Sequence, residues 1–134
     1  MYATANLQDR YKQDYVTTAS PLDLIIMLYD GCIKQLKLSK IFEEENLQKD
    51  FLDAVEKAEE IILELIRSLN MNYEISNNLL DLYQFMLKEL VETTYSKEMD
   101  RIDKVIEFMS SLRESWVEAK NTVGNSYSAE AEEE

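Results

Sequence analysis

The chain has 134 residues, a net charge of −13, one cysteine and no histidine. This acidity argues against a nucleic-acid partner and disfavours anionic membranes, because phosphate contacts need clustered Lys and Arg. The length fits one domain with one core. Two glycines and one proline are too few for a fold rich in turns, so the composition predicts a single all-α domain.

Cysteine usage and the apolar runs favour a cytoplasmic protein. Cys32 is the single cysteine, so no internal disulfide is expected, which fits a reducing compartment. Residues 1–6 have neither the basic stretch nor the apolar stretch of a signal peptide. The longest apolar run, residues 24–29, is far shorter than the about 20 residues that span a bilayer, and no membrane insertion is expected.

Residues 1–19 are predicted to form a mobile N-terminal arm. They are polar apart from Leu7, Tyr11, Tyr15 and Val16. Tyr11 and Tyr15 have no obvious core to join. We therefore hypothesise that Tyr11, Tyr15 and Val16 cover a binding groove when it is empty and move aside when a partner binds.

The first helix is predicted from Ser20 to about Phe42. Ser20 suits the N-cap, Pro21 suits the first helical position, and Asp23 completes a capping box. Three independent start signals therefore agree. The acidic residues 43–46 that follow are expected to form a loop.

Apolar spacings of three and four residues predict the second and third helices. The seam of the second helix holds Phe51, Val55, Ala58, Ile62, Leu65 and Leu69. Residues 70–72 are expected to end it, since Asn favours caps and turns. The third helix is expected to start near Ser76 and to end in a turn at residues 93–96, and its seam holds Leu79, Tyr83, Met86 and Leu90.

The fourth helix is predicted to end at residues 124–126, where Gly124 resembles a C-terminal cap. Its seam holds Ile102, Val105, Met109, Leu112, Trp116, Ala119 and Val123. Four helices joined by short connections predict an antiparallel four-helix bundle over residues 20–124. Residues 125–134 carry many acids and are expected to form a disordered tail.

The side-chain inventory argues against catalysis and against a cofactor. Without histidine the commonest general base and the commonest neutral metal ligand are missing, and one cysteine cannot make an ordinary zinc site. No glycine-rich phosphate loop is present. Glu56, Glu60 and Glu64 share a helix face that we interpret as solvated, and Cys32 lies on an apolar face that favours an inert buried thiol. No enzyme, metal or cofactor is expected.

The surface of the first helix is the most informative feature. Residues 24–28 are five consecutive large apolar residues and cover its whole circumference. No helix of a four-helix bundle is enclosed by the other three. Some of Leu24, Ile25 and Leu28 should therefore be exposed unless the arm or a partner covers them, and exposed patches of this kind mark interaction sites. The alternative is a central helix that the protein itself covers.

Tyrosine and methionine residues on the helices allow two interpretations. Each one alone is expected in the core. As a set they would suit a groove that receives an amphipathic or extended segment, because both residue types offer large and adaptable contact area. The set comprises Met27, Tyr29, Tyr83, Met86 and Met109.

Residues 16–31 resemble the N-terminal signature of the FliS flagellin chaperones. That signature is a Thr-Ala-Ser-Pro start, an apolar run and Met-Leu-Tyr-Asp-Gly, as found here from Thr18 to Gly31. Tyr11 matches the arm tyrosine of the family, and residues 57–65, 82–86 and 112–116 resemble its later helices. The similarity covers about residues 8–120. Residues 87–89 depart from the family's Arg pair, and residues 93–94 depart from its Ala-Asn.

The resemblance implies a cytosolic chaperone that binds the disordered C-terminal segment of flagellin. It would prevent premature polymerisation and deliver flagellin to the flagellar type III secretion apparatus. It also implies contact with that apparatus or with an assembly factor. A monomer or weak dimer is expected of the chaperone. The competing hypothesis is a self-assembling or adaptor bundle that binds another helix. The residues expected to bind the partner are Tyr11, Val16, Leu24, Ile25, Leu28, Tyr83 and Met86.

Overall fold

The first described helix, α1 (Pro21–Glu44), begins at the predicted N-cap. In this computed structural model, which describes residues 20–133 and the side chains of residues 20–122, the backbone of Ser20 is extended. The Asp23 amide donates to Ser20 Oγ at 3.2 Å, and the Ser20 amide donates to Asp23 Oδ2 at 3.3 Å. The predicted capping box is therefore confirmed. The predicted arm, residues 1–19, lies outside the described residues.

Three further helices follow: α2 (Gln48–Arg67), α3 (Glu74–Ser96) and α4 (Met99–Glu133). Leu69, predicted on the second helix, lies in the connection between α2 and α3. The turn predicted at residues 93–96 is wrong, because α3 continues to Ser96 and the chain turns at Lys97, whose φ is 58°. Thr93 and Thr94 are helical, and their hydroxyls donate to the carbonyls of Glu89 (2.7 Å) and Leu90 (3.2 Å) in the preceding turn.

The helix end predicted at residues 124–126 is also wrong for the described backbone. Helix α4 passes through Gly124 and continues to Glu133. A glycine inside a helix costs only about 1 kcal/mol relative to alanine, and no proline follows it. The Ala and Glu residues beyond it are good helix formers. The helix therefore does not end at residue 124.

The four helices form an antiparallel bundle, as predicted. Helix α1 packs on α2 and α4, and α3 closes the square by packing on the same two helices. Ion pairs along the α1–α4 interface give its direction: residue numbers rise along α1 as those of the partners fall along α4. The pairs, named here the ladder, are Asp23–Lys120, Asp30–Arg113 and Lys40–Asp103.

The core lies along the predicted seams. A buried cluster holds side chains from all four helices, and its largest members each contribute roughly 1.5–3 kcal/mol by burial. Its members are Tyr29, Cys32, Leu36, Phe51, Val55, Ala58, Ile62, Leu65, Tyr83, Met86, Leu90, Ile102, Val105 and Met109.

Helices α1 and α2 approach each other closely around Gly31. A Cβ atom added to Gly31 would lie 3.4 Å from Ile61 Cδ1. Next to it, the Cys32 thiol donates weakly to the carbonyl of Ala58 at 3.8 Å. Helix α3 packs less closely on its neighbours than α1 does. Across the described part of the chain, the helices are too polar or too short to cross a membrane.

Candidate partner-binding surface

The apolar run of α1 is half-buried along its whole length. Each side chain from Leu24 to Leu28 is neither fully buried nor fully exposed. Ile25 and Leu28 pack against the edge of the core cluster. The first turns of α1 therefore present a partly open apolar surface. The sequence left two alternatives, a covered central helix and a helix with an exposed apolar face, and the observed burial is intermediate between them.

A small apolar cavity, named here the end pocket, opens beside Ile25 at one end of the bundle. Its volume is about 210 Å³. That is below the roughly 300–1,000 Å³ of typical small-molecule sites, so its size suits a side chain of a bound peptide. Its walls come from α1, α2, α3, α4 and the connection between α2 and α3: Ile25, Leu65, Ser68, Leu69, Asn70, Tyr73, Ile75, Ser76, Leu79, Tyr83 and Trp116.

The rim of the end pocket is apolar and exposed. Met71, close by in the chain, is 49% exposed, and Tyr73 and Ile75, which line the pocket, are 64% and 65% exposed. The connection that carries the first two is ordered by hydrogen bonds, since Ser76 Oγ donates to the Asn70 carbonyl at 2.6 Å and the Tyr73 amide donates to it at 3.2 Å. Large apolar side chains held in place around an apolar cavity are typical of an interaction site.

The structure brings together some of the predicted site residues and separates others. Ile25 and Tyr83 line the same pocket, whereas Leu24 and Leu28 are half-buried on α1 and are not among its walls. Met86 is fully buried in the core, and Tyr83 is 1% exposed, so in this structure both pack as core residues. Tyr11 and Val16 lie outside the described residues. The partner role of all seven stays a prediction.

Several pocket residues were missed by reasoning from the sequence: Leu69, Tyr73, Ile75 and Trp116. The signal for two of them was present. Tyr73 and Ile75 are large apolar residues in or next to a connection, where polar residues are usual. Leu69 and Trp116 were assigned to helix seams, and only the folded arrangement shows that they end at an open cavity.

Tyr83, which lines the pocket, meets a second buried tyrosine in the core. The hydroxyls of Tyr29 and Tyr83 share a short hydrogen bond across the bundle. Burial raises the pKa of both phenols, so both are neutral donors and acceptors at physiological pH. Burial likewise raises the pKa of the Cys32 thiol to about 12, which leaves it protonated and unreactive.

The other cleft of note is larger and more polar. It has a volume of about 620 Å³ and lies between the end of α1 and the start of α4. The Lys40–Asp103 pair crosses it, and Lys37, Glu43 and Glu44 also line it. Among the side chains of residues 20–122, no three potential metal ligands lie together. The end pocket is therefore the better candidate for binding an apolar segment.

Asp30, which follows the apolar run of α1, is one of the acids of the ladder. Asp30 accepts a hydrogen bond from Arg113 Nε in α4 and forms an ion pair with it. Both side chains are substantially exposed. Asp30 therefore contacts a neighbouring helix in this structure.

The fold is that of a flagellar chaperone. A solved structure described as a flagellar chaperone from bacteria superposes with a TM-score of 0.69 over 89% of this chain and 98% of that one, at 24% identity. The family model described as "Flagellar protein FliS" matches residues 3–123, and the chain belongs to this family.

Its relatives include several flagellar secretion chaperones. The FliS chaperone of Bacillus subtilis strain 168 is 30% identical over 87% of this chain and 88% of its own length. The FliS chaperone of Salmonella typhimurium is 31% identical over 75% of this chain and 77% of its own length. That of Escherichia coli K12 is 28% identical over 78% of this chain and 79% of its own length.

Proposed function

We propose that this protein is a cytosolic chaperone that binds the disordered C-terminal segment of flagellin, prevents its premature polymerisation and assists its export by the flagellar type III secretion system. The observation that carries the proposal is the match to the FliS family over residues 3–123. The surface fits this role, because a chain that orders on binding loses conformational entropy and needs a broad apolar contact to offset it.

The end pocket supplies an anchor for such a segment. An apolar client side chain entering it would contact Ile25, Leu79 and Trp116, and the rim residues would cover the flanking client residues. The chaperone itself acts without catalysis or a cofactor. It works as a monomer or weak dimer and passes its client to the export apparatus or to an assembly factor.

Calorimetric titration with a peptide of about the last 40 residues of flagellin from the same organism tests the proposal. Tight one-to-one binding with a large negative heat-capacity change is expected, because a disordered segment would bury apolar surface. If no heat of binding is measured at several temperatures, and no complex is seen by size-exclusion chromatography, the proposal is wrong. A stable higher oligomer of the free protein would instead favour the self-assembling bundle.

Variants of the rim localise the binding. Ile75→Ser should weaken the peptide complex about tenfold, since it removes apolar contact area of roughly one buried side chain. Tyr95→Ser is the matched control. Tyr95 is 83% exposed and lies at the opposite end of α3, so its loss should leave the affinity unchanged. Equal loss from both variants would argue against the end pocket.

A further inference from the structure

Helix α3 is attached to the rest of the bundle unevenly along its length. Its N-terminal half, residues 74–86, borders the end pocket. Its C-terminal half, residues 87–96, leads into the turn at Lys97, where charged side chains connect it to the other three helices. The two halves therefore differ in what has to break before each can separate from the bundle.

Lys97 joins the end of α3 to the turn between α1 and α2. Its Nζ donates to Gln48 Oε1 at 2.7 Å and lies 3.9 Å from Glu43 Oε2. The same ammonium group lies 4.0 Å from the centre of the Phe51 ring. Its backbone amide donates to the Thr93 carbonyl at 2.9 Å, so the residue is also fixed to the helix. These contacts are named here the Lys97 clasp.

A second charged contact joins the C-terminal half to α4. Arg101 Nη1 donates to Glu89 Oε2 at 3.2 Å, and only 13% of the Glu89 side chain is exposed. On the inner side of the helix, Leu90 and Thr93 are fully buried. Charge-assisted hydrogen bonds are roughly twice as strong as neutral ones. The C-terminal half is thus held both by charge and by a filled core.

The N-terminal half has a single polar contact with another helix. Among the side chains of residues 20–122, the bond between the hydroxyls of Tyr29 and Tyr83 is the only hydrogen bond or ion pair that joins residues 74–86 to α1, α2 or α4. Both tyrosines are buried, so water does not compete for this bond while the bundle is closed.

The inner side of the N-terminal half faces a cavity. Ile75, Ser76, Leu79 and Tyr83 all line the end pocket, whose volume is about 210 Å³. Side chains beside a cavity lack the packing contacts that stabilise a filled core. Ile75 is also 65% exposed, so the first turn of α3 gains little stability from burial. Separation of this half therefore breaks few contacts.

We propose that the N-terminal half of α3 is a lid over the end pocket, which opens while the Lys97 clasp holds the other end of the helix. The hydrogen bond between Tyr29 and Tyr83 is the latch of this lid. The connection before α3 moves with the lid, because its hydrogen bonds to Ser76 join it to the first turn. A helical segment of this length is only marginally stable in water, so the opened half loses helical hydrogen bonds.

Opening of the lid changes what the end pocket can hold. Separation of residues 74–86 removes one wall of the closed cavity, so an apolar side chain larger than the cavity can enter. That consequence for a client rests on the proposed function. The lid itself is a property of the free protein, and it is tested without flagellin, so failure of either proposal leaves the other to be judged separately.

Hydrogen exchange of the free, full-length protein, resolved residue by residue along α3 by NMR, tests the lid. Protection factors of the amides of residues 79–86 should be about tenfold lower than those of residues 89–94. They should also depend less on low concentrations of urea, because local opening exposes less surface than unfolding does. Equal protection and equal urea dependence in the two halves would mean that α3 opens as one unit, and the lid would be wrong.

Two variants distinguish the latch from the clasp. Tyr83→Phe should lower the protection of residues 79–86 about tenfold, because opening no longer breaks a buried hydrogen bond. Lys97→Met should lower the protection of residues 89–94 and leave that of residues 79–86 unchanged, since the clasp stays closed when the lid opens. Tyr95→Phe removes a hydroxyl from the same helix at a side chain that is 83% exposed, and it should change neither half.

Each variant can contradict the inference. If Tyr83→Phe leaves residues 79–86 unchanged, the opening does not break the bond between the tyrosines, and the latch is wrong. If Lys97→Met lowers the protection of both halves equally, the clasp holds the whole helix and no separate lid exists. The comparison of the two halves in the unaltered protein decides the matter even where a variant does not fold.

Discussion

Two tyrosine hydroxyls meet in the interior where α1 and α3 face each other across the bundle. Tyr29 and Tyr83 are 0% and 1% exposed, so their hydroxyls depend on protein partners. The two hydroxyls share one short hydrogen bond. Removing one member of such a pair costs more than the bond itself, because the other hydroxyl is left buried without a partner.

The first prediction follows from the cost of leaving one of these hydroxyls buried without a partner. Tyr29→Phe and Tyr83→Phe should each lower the free energy of unfolding by roughly 1–3 kcal/mol, because each change leaves the other hydroxyl buried without its partner. The double variant should cost less than the sum of the two single ones. Urea unfolding of the three variants measures this. Additive losses would mean that the hydroxyls do not depend on each other.

The second prediction concerns alkaline pH. In the unfolded chain the Cys32 thiol and the two phenols should ionise near their ordinary pKa values, about 8.5 and 10. In the folded protein burial raises the pKa of all three, to about 12 for Cys32. Above pH about 8.5 the unfolded state therefore binds fewer protons, and the stability falls as pH rises by up to about 1.4 kcal/mol per pH unit for each group.

Unfolding at a series of pH values from neutral upward measures that slope. Cys32→Ala should lower the stability throughout, because the thiol is part of the core. It should also delay the onset of the decline to about pH 10, where the tyrosines begin to ionise in the unfolded chain. An unchanged onset in this variant would show that Cys32 does not contribute to the decline.

At the scale of the element, helix starts were easier to predict than helix ends. Ser20, Pro21 and Asp23 signal a start through contacts within one turn, so a short stretch of sequence is sufficient. Thr93 and Thr94 are ambiguous, because their hydroxyls can bond either a turn or the carbonyls of the preceding turn of helix. The end pocket was beyond prediction from sequence, since its walls come from four helices and one connection, from residues that are far apart in the chain.

The third prediction concerns the glycine within α1. Gly31 is helical, and its φ is not positive, so no special backbone conformation requires it. The nearest atom to an added Cβ is Ile61 Cδ1, the flexible tip of a side chain. Gly31→Ala should therefore stabilise the protein by about 0.5–1 kcal/mol through helix propensity. A lower melting temperature would show that the α1–α2 approach has no room for a methyl group.

At the scale of the whole molecule, the four helices are not equivalent. Helix α1 packs closely on both its neighbours, whereas α3 is held more loosely. The exposed apolar residues Phe85 and Val91 lie on the two edges of α3. The less closely packed helix is therefore one that carries exposed apolar side chains on both of its edges.

The fourth prediction is that α3 opens more readily than α1. Backbone amides of α3 should exchange with deuterium faster than those of α1, because local stability follows the density of buried contacts. Hydrogen exchange followed by mass spectrometry measures this. Bound flagellin peptide should slow exchange most in α3 and the adjoining half of α2. Uniform protection across all four helices would contradict the prediction.

The ladder between α1 and α4 has a consequence for topology. Along α1 its charges run negative, negative, positive, at Asp23, Asp30 and Lys40, and α4 presents the opposite signs in reverse chain order. If the two helices ran parallel, Asp23 would face Asp103 and Lys40 would face Lys120. Exposed pairs stabilise by only about 0–1 kcal/mol each, but the parallel arrangement would replace attraction by repulsion at both ends. The ladder thus favours the antiparallel orientation of α4 relative to α1. Two similar apolar seams could pack in either orientation and would not distinguish them.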